Sequence, residues 1–160
     1  AFLDAIAIGD TRTTQQDVGF GILQLVDIAL RALSPGVNDP STANDVIDHL
    51  GAVCLAIWAR PERPRIRTED TRTLITPRLD HAAYLEQAFA QIRRHGAHDM
   101  TVAARLLATL RLLREETVRC SLPGPLAPID AMIRLVAEAV EASDALPRDK
   151  ALVLGLIDER

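Results

Sequence analysis

The densest group of side chains capable of chemistry lies between Ser34 and Thr42, where the chain reads Ser-Pro-Gly-Val-Asn-Asp-Pro-Ser-Thr. Carboxylate and amide oxygens can hold a cation or orient a small polar ligand. Combined with carboxylates from the preceding segment, this corner predicts a ligand site at a helix N-terminus. Its candidate residues are Asp17, Asp27, Arg31, Ser34, Asn38, Asp39 and Thr42.

The same corner also has a purely structural interpretation. Pro35 and Gly36 can end one helix, Asp39 can cap the next, and Pro40 suits the first helical position, where no N–H is needed. A capping Asp39 would accept the free N–H groups of its own helix and repel an anion, which disfavours a phosphate site. Capping accounts least for Asn38, and both interpretations remain open at this point.

Two further groups on the predicted helices could carry function. Asp27 and Arg31 are spaced i, i+4 with the acid first, which indicates either a surface pair worth roughly 0.2–0.5 kcal/mol or a polar stripe that faces a partner. Asp45, Asp48 and His49 offer two carboxylates and an imidazole. Such triplets are common on solvated helices, so the sequence predicts no metal and no cofactor.

No catalytic signature accompanies these groups. The chain contains no nucleophile elbow, P-loop, dinucleotide-binding glycine pattern or HExxH motif. His95 and His98, beside Asp99, have a spacing typical of a loop between helices. The sequence therefore leans away from an enzyme.

The charge of the chain is unevenly distributed around its net value of −4. The segment from Arg60 to Arg78 contains six arginines against three acidic residues. We interpret it as a solvated hairpin or as a contact for anionic lipid or another partner, with candidate residues Arg63, Arg65, Arg67 and Arg72. Nucleic acid is disfavoured, because the chain as a whole is acidic and its aromatic residues are not interleaved with the basic ones.

The elements that must position these residues are mainly helical. With 160 residues, of which 48% are hydrophobic, the chain predicts one domain over residues 1–160, with five to six helices and a small β-hairpin at about residues 65–75. The predicted helices cover Asp17–Leu33, Pro40–Ala59, 78–95 and Asp99–Cys120, then a fifth around Ile129–Val140 and a sixth after Pro147. Leu50–Ala59 is apolar all round and is predicted to be the most buried helical segment. Cys54 and Cys120 are expected to be reduced and mostly buried.

Two stretches of the chain resemble a known family. They are QDVGFGILQLVDIALRALSPGVNDPSTA at Gln16–Ala43 and LDHAAYLEQAFAQIRRHGAHDMTVAARLLATL at Leu79–Leu110. Both are similar to a bacterial family of predicted membrane proteins, classed as a domain of unknown function, whose members carry several transmembrane helices followed by a soluble C-terminal region. The resemblance implies a membrane-tethered soluble domain on the cytoplasmic side. The longest nearly apolar run, Leu50–Ala59, is too short to span a bilayer, so the membrane helices are expected in a part of the protein outside this sequence.

Two functions follow as expectations. The first is a non-enzymatic cytosolic domain of an integral membrane protein, which supports assembly or regulates the membrane portion. The alternative is a metal- or ligand-dependent enzyme that uses Asp17, Asp27, Asn38 and Asp39 at the corner. The expected partners are the membrane portion of its own chain, anionic lipid and a second copy of the domain.

Overall fold

Six α-helices and two short strands make up the computed structural model, which describes residues 17–60, 66–69, 72–75, 79–122 and 124–158. The prediction of a mainly α fold is confirmed. In chain order the elements are α1 (Val18–Ala32), α2 (Pro40–Trp58), β1 (Ile66–Glu69), β2 (Arg72–Ile75), α3 (His81–Gly96), α4 (Met100–Arg119), α5 (Leu126–Ala142) and α6 (Pro147–Asp158).

Four of these helices have an aspartate as their N-cap residue. Asp17, Asp39, Asp80 and Asp99 each precede a helix and accept a hydrogen bond from a backbone N–H of its first turn. That bond satisfies one of the donors that a helix N-terminus leaves without an intrahelical partner. Helix α5 begins differently, because Pro125 occupies its N-cap and forms no side-chain capping bond.

Helix α4 packs against α2, α5 and α6, while α1 packs against α2 and α3. Between them lies a core of aliphatic side chains together with Phe89, which is fully buried. Helices α2 and α4 are in close contact at Gly51, where a Cβ atom would lie 2.6 Å from Cγ2 of Thr109. A side chain at position 51 would therefore require the Thr109 side chain or one of the two helices to shift.

The expectation that Leu50–Ala59 is the most buried helical segment is wrong, because a larger share of the residues 102–110 of α4 is buried. Leu50, Cys54 and Trp58 are buried, but Ala52 and Ala56 are exposed. The neighbouring helices cover only one face of α2, and alanine at the uncovered positions presents little apolar area to water.

The two cysteines have different environments. Cys54 is buried, and burial raises the pKa of its thiol to about 12. Cys120 is exposed, so the expectation of two buried thiols is wrong for this residue. Its position explains the difference, since Cys120 is the C-cap residue beyond the last turn of α4.

Strands β1 and β2 pair antiparallel, with Ile66 opposite Ile75 and Thr68 opposite Thr73. The Ile66 and Ile75 side chains are 60% and 67% exposed.

Within the described ranges, no helix combines the length and hydropathy that crossing a bilayer requires.

Candidate functional site

The corner between α1 and α2 is held by a dense set of backbone hydrogen bonds. The Ser34 N–H donates to the carbonyl of Arg31 at 3.1 Å, and the Ser34 hydroxyl donates to the same carbonyl at 2.7 Å. The Asp39 N–H donates to the carbonyl of Ala32 at 2.8 Å. These bonds satisfy carbonyl groups that the last turn of α1 would otherwise leave unpaired.

Asn38 has an unusual backbone conformation at this corner. Its φ angle of 49° lies in the left-handed region, and its N–H donates to the carbonyl of Ser34 at 2.9 Å. Asparagine enters this region more readily than other residues with a side chain, glycine aside. The residue that capping accounted for least thus has a conformational reason for its place.

Asp39 directs both of its carboxylate oxygens into its own helix. One oxygen accepts the Thr42 N–H at 3.2 Å, and the other accepts the Thr42 hydroxyl at 2.5 Å. These hydrogen bonds hold the pKa of the Asp39 carboxyl below its usual value. The geometry is that of an ionised helix cap, with Pro40 at the first helical position.

The structure brings together only part of the proposed ligand set. Ser34, Asn38, Asp39 and Thr42 lie within the corner. Asp17 lies at the opposite end of α1, where it accepts the Phe20 N–H at 3.1 Å. The helix between them has 15 residues, so at about 1.5 Å per residue Asp17 is about 22 Å from the corner.

Asp27 and Arg31 are exposed on the outer side of α1. Among the described residues no ion pair joins them, although their spacing allows one. Ile28 lies beside them and is 45% exposed. This side of α1 therefore presents two separate charges around an uncovered aliphatic side chain.

The triplet on α2 does not converge on a common point. Asp48 turns towards α4, where it accepts a hydrogen bond from the Thr109 hydroxyl at 2.9 Å. It also forms an ion pair with Arg105, with an N–O distance of 3.3 Å. His49 instead places Nδ1 2.7 Å from the carbonyl of Asp45. Within the part of the chain that the structure describes, no three His, Cys, Asp or Glu side chains are grouped to hold a metal ion.

The group of His95, His98 and Asp99 does not form a common site either. Asp99 caps α4 through the N–H groups of Thr101 and Val102, at 2.8 and 3.2 Å. His95 and His98 are exposed beside it.

The basic segment is described only in part. Arg63 and Arg65 lie outside the described residues, whereas the backbones of Arg67 and Arg72 belong to β1 and β2 and pair with Leu74 and Glu69. The exposed pair of Ile66 and Ile75 is a feature that sequence reasoning missed. Alternation of side chains along a strand pair was the available signal, since it places directly opposed residues on one face.

Sequence reasoning also missed two contacts between helices. One is the link from Asp48 to Arg105 and Thr109, and the other is the hydrogen bond at 2.9 Å that Gln87 Nε2 donates to the carbonyl of Gly19. Both join residues far apart in the chain, and no local pattern marks such pairs.

The comparisons with known proteins bear on the same corner. The model of the DUF2254 family, described as predicted membrane proteins, matches residues 1–112. The chain belongs to this family. The match to DUF2254 contains α1, α2, the corner between them and α3.

Relatives extend the similarity beyond that region. A protein of Mycobacterium bovis and two proteins from strains of Mycobacterium tuberculosis, each named as an uncharacterized protein, are 40% identical to the chain over 152 residues. The similarity covers 94% of this chain but only 29% of each relative. The chain thus spans less than a third of the length of these relatives. No solved structure matches it.

Proposed function

We propose that this chain is a non-catalytic helical module of a DUF2254 membrane protein, which lies on the cytoplasmic side and supports assembly or regulates the membrane portion. One observation carries the proposal. The carboxylate at the centre of the most polar motif, Asp39, is engaged on both oxygens by Thr42 of its own helix. The motif therefore serves as a joint that sets the direction of α2 relative to α1.

A fixed joint gives the outer side of α1 a defined orientation. We assign docking on the membrane portion to the outer face of α1, defined by Gln24, Asp27, Ile28 and Arg31, all of which are exposed. Unpaired charges around an aliphatic side chain suit an interface in which polar contacts fix the register and apolar contact supplies affinity. The membrane portion would lie in the part of the relatives that this chain does not match, which is more than two thirds of their length.

The β1–β2 hairpin is assigned to lipid contact in this proposal. The exposed Ile66 and Ile75 can enter the interfacial region of a bilayer, while arginines of the segment 60–78 are attracted to anionic headgroups, at about 1 kcal/mol for each base near the surface. The net charge of +3 over residues 60–78, from six arginines and three acids, supports this assignment.

Binding to nanodiscs tests both contacts. The chain is mixed with nanodiscs of phosphatidylglycerol and phosphatidylcholine that either are empty or contain the membrane portion of a full-length DUF2254 protein. We expect weak, salt-sensitive binding to the empty anionic discs and tighter binding to the loaded ones. Equal binding to loaded and empty discs would contradict docking on the membrane portion.

Substitutions on the outer face of α1 and on the β1–β2 hairpin distinguish the two proposed contacts in the same assay. Arg31→Glu is expected to abolish the tighter binding to the loaded discs, whereas the matched variant Arg148→Glu, at an exposed position of α6, retains it. Replacing Ile66 and Ile75 together by Ser is expected to weaken binding to empty anionic discs. If this double variant binds empty anionic discs as tightly as the unmodified chain does, and the unmodified chain binds neutral phosphatidylcholine discs equally well, the lipid contact is refuted.

A further inference from the structure

An apolar groove lies between α3 and α5 on the surface of the protein. Its volume is about 340 Å³, and α5 contributes Leu135 at its edge, where the side chain is 37% exposed. Small side chains line much of the groove, among them Ala82, Ala83 and Ala131. Small side chains allow a third helix to approach closely, because the distance between helix axes depends on the side chains at the contact.

The outward side of α5 has the spacing of a helix–helix seam. Pro128, Ala131, Leu135, Glu138 and Ala142 follow one another at intervals of three and four residues. This repeat keeps a stripe of side chains facing a partner helix over several turns. The stripe is unpartnered in a single copy, since Leu135, Glu138 and Ala142 are all exposed.

The charges beside the stripe indicate which helix can cover it. Arg134 precedes Glu138 and Glu141 on α5, and the side chains of all three are exposed. None of them forms an ion pair with another described residue. When two copies of α5 run antiparallel, Arg134 of each copy faces Glu138 and Glu141 of the other. A parallel arrangement would instead place like charges side by side.

We propose that α5 is a homodimer interface, in which two copies of the chain pack α5 antiparallel about a twofold axis. Leu135 of each copy packs beside Leu135 of the other next to the twofold axis, and the C-terminal part of each α5, with Ala142, lies over the groove between α3 and α5 of the other copy. The contact is isologous, so every favourable pair occurs twice. The inference deepens the proposed role in assembly and rests on it, because it names a second copy of the chain as one partner of the module.

Sedimentation equilibrium with a charge swap tests the interface. The unmodified chain is expected to have twice the mass of one copy. Arg134→Glu alone and Glu138→Arg alone are each expected to be monomeric, because each variant opposes like charges at both ends of its own dimer. An equimolar mixture of the two variants is expected to recover the dimer, since opposite charges then meet at both ends. Far-UV circular dichroism verifies that each variant is folded.

Matched controls and contrary outcomes make the result decisive. Leu135→Asp is expected to give a monomer, whereas Leu152→Asp, at an exposed leucine of α6, retains the dimer, as does Arg148→Glu. A monomeric unmodified chain at its highest soluble concentration overturns the proposal, as does a dimer that Arg134→Glu leaves intact. Failure of the mixture to recover the dimer refutes the antiparallel pairing. Docking through α1 is measured with nanodiscs, so failure of the α5 dimer is distinguishable from failure of the proposed function.

Discussion

The carboxylate of Asp39 accepts both the backbone N–H and the hydroxyl of Thr42, at 3.2 and 2.5 Å. Its sequence neighbours suggest that Asp39 belongs to a ligand site, but both of its carboxylate oxygens bind the first turn of α2. The corner links two helices of the region that defines DUF2254 in this chain. In the proposed function, this corner sets the direction in which the outer face of α1 points.

The strength of this cap should depend on pH. Since the pKa of Asp39 is lowered in the folded chain, the ionised carboxylate stabilises the fold above its ordinary value of 3.8, and this contribution is lost as the pH falls through the lowered folded value. Asp39→Ala should therefore lower the free energy of unfolding at neutral pH, and its difference from the unmodified chain should close well below pH 3.8. Urea unfolding across this range measures the difference. Asp45→Ala, which removes an exposed carboxylate of α2 that caps no helix, serves as the control and should change the free energy of unfolding at neutral pH less than Asp39→Ala does.

Substitutions of Asn38 distinguish a conformational role from ligation. With φ at 49°, Asn38→Ala should cost about 1 kcal/mol, because a Cβ-bearing residue without a local polar group is strained in the left-handed region. Asn38→Gly should leave the thermal midpoint nearly unchanged. A glycine variant as unstable as the alanine variant would show that the amide side chain itself is required.

The approach of α2 to α4 at Gly51 can be tested with a compensating pair. Gly51→Ala should destabilise the fold by about 1–3 kcal/mol, because the added methyl group meets Thr109 Cγ2. Thr109→Ser removes that methyl group and keeps the hydroxyl that donates to Asp48, so the double variant should recover most of the loss. Gly155→Ala is the matched control, since a Cβ there meets nothing within 4 Å, and it should gain about 0.5–1 kcal/mol. Chemical denaturation contradicts the packing account if the double variant is no more stable than Gly51→Ala.

The two thiols should react at different rates. Cys120 is exposed, whereas Cys54 is buried with its pKa raised to about 12. Ellman's reagent at neutral pH should titrate one thiol rapidly in the folded chain and two after addition of guanidinium. Rapid reaction of both thiols without denaturant would place Cys54 outside the core.

Local chemistry explains which parts of the fold were predictable. Asp17, Asp39 and Asp99 were readable as helix starts because capping depends on residues within one turn. The burial of α2 was misjudged because apolar composition does not say which face a neighbouring helix covers. Ala52 and Ala56 are apolar and yet exposed.

The candidate site was less predictable from the sequence than the helices were, because its geometry depends on contacts between residues far apart in the chain. The corner residues Asn38, Asp39 and Thr42 were found from sequence, but their joint role emerged only from the φ angle and the two hydrogen bonds. Asp17 was grouped with them as a carboxylate of the preceding helical segment, and the length of α1 separates it from the corner. The link between Asp48 and Thr109 joins residues 61 positions apart, and a pattern within one helix holds no information about such a partner.

Photo-crosslinking in a full-length DUF2254 protein that carries this chain tests the central claim most directly. A photoreactive amino acid replaces Asp27 on the outer face of α1, and a control protein carries it in place of Arg148 on α6. The proposed docking predicts crosslinks from position 27 to the membrane portion, identified by mass spectrometry of the membrane-extracted protein, and none from position 148. An absence of crosslinks from position 27, or equal crosslinking from both positions, would contradict the claim that α1 docks this module on the membrane portion.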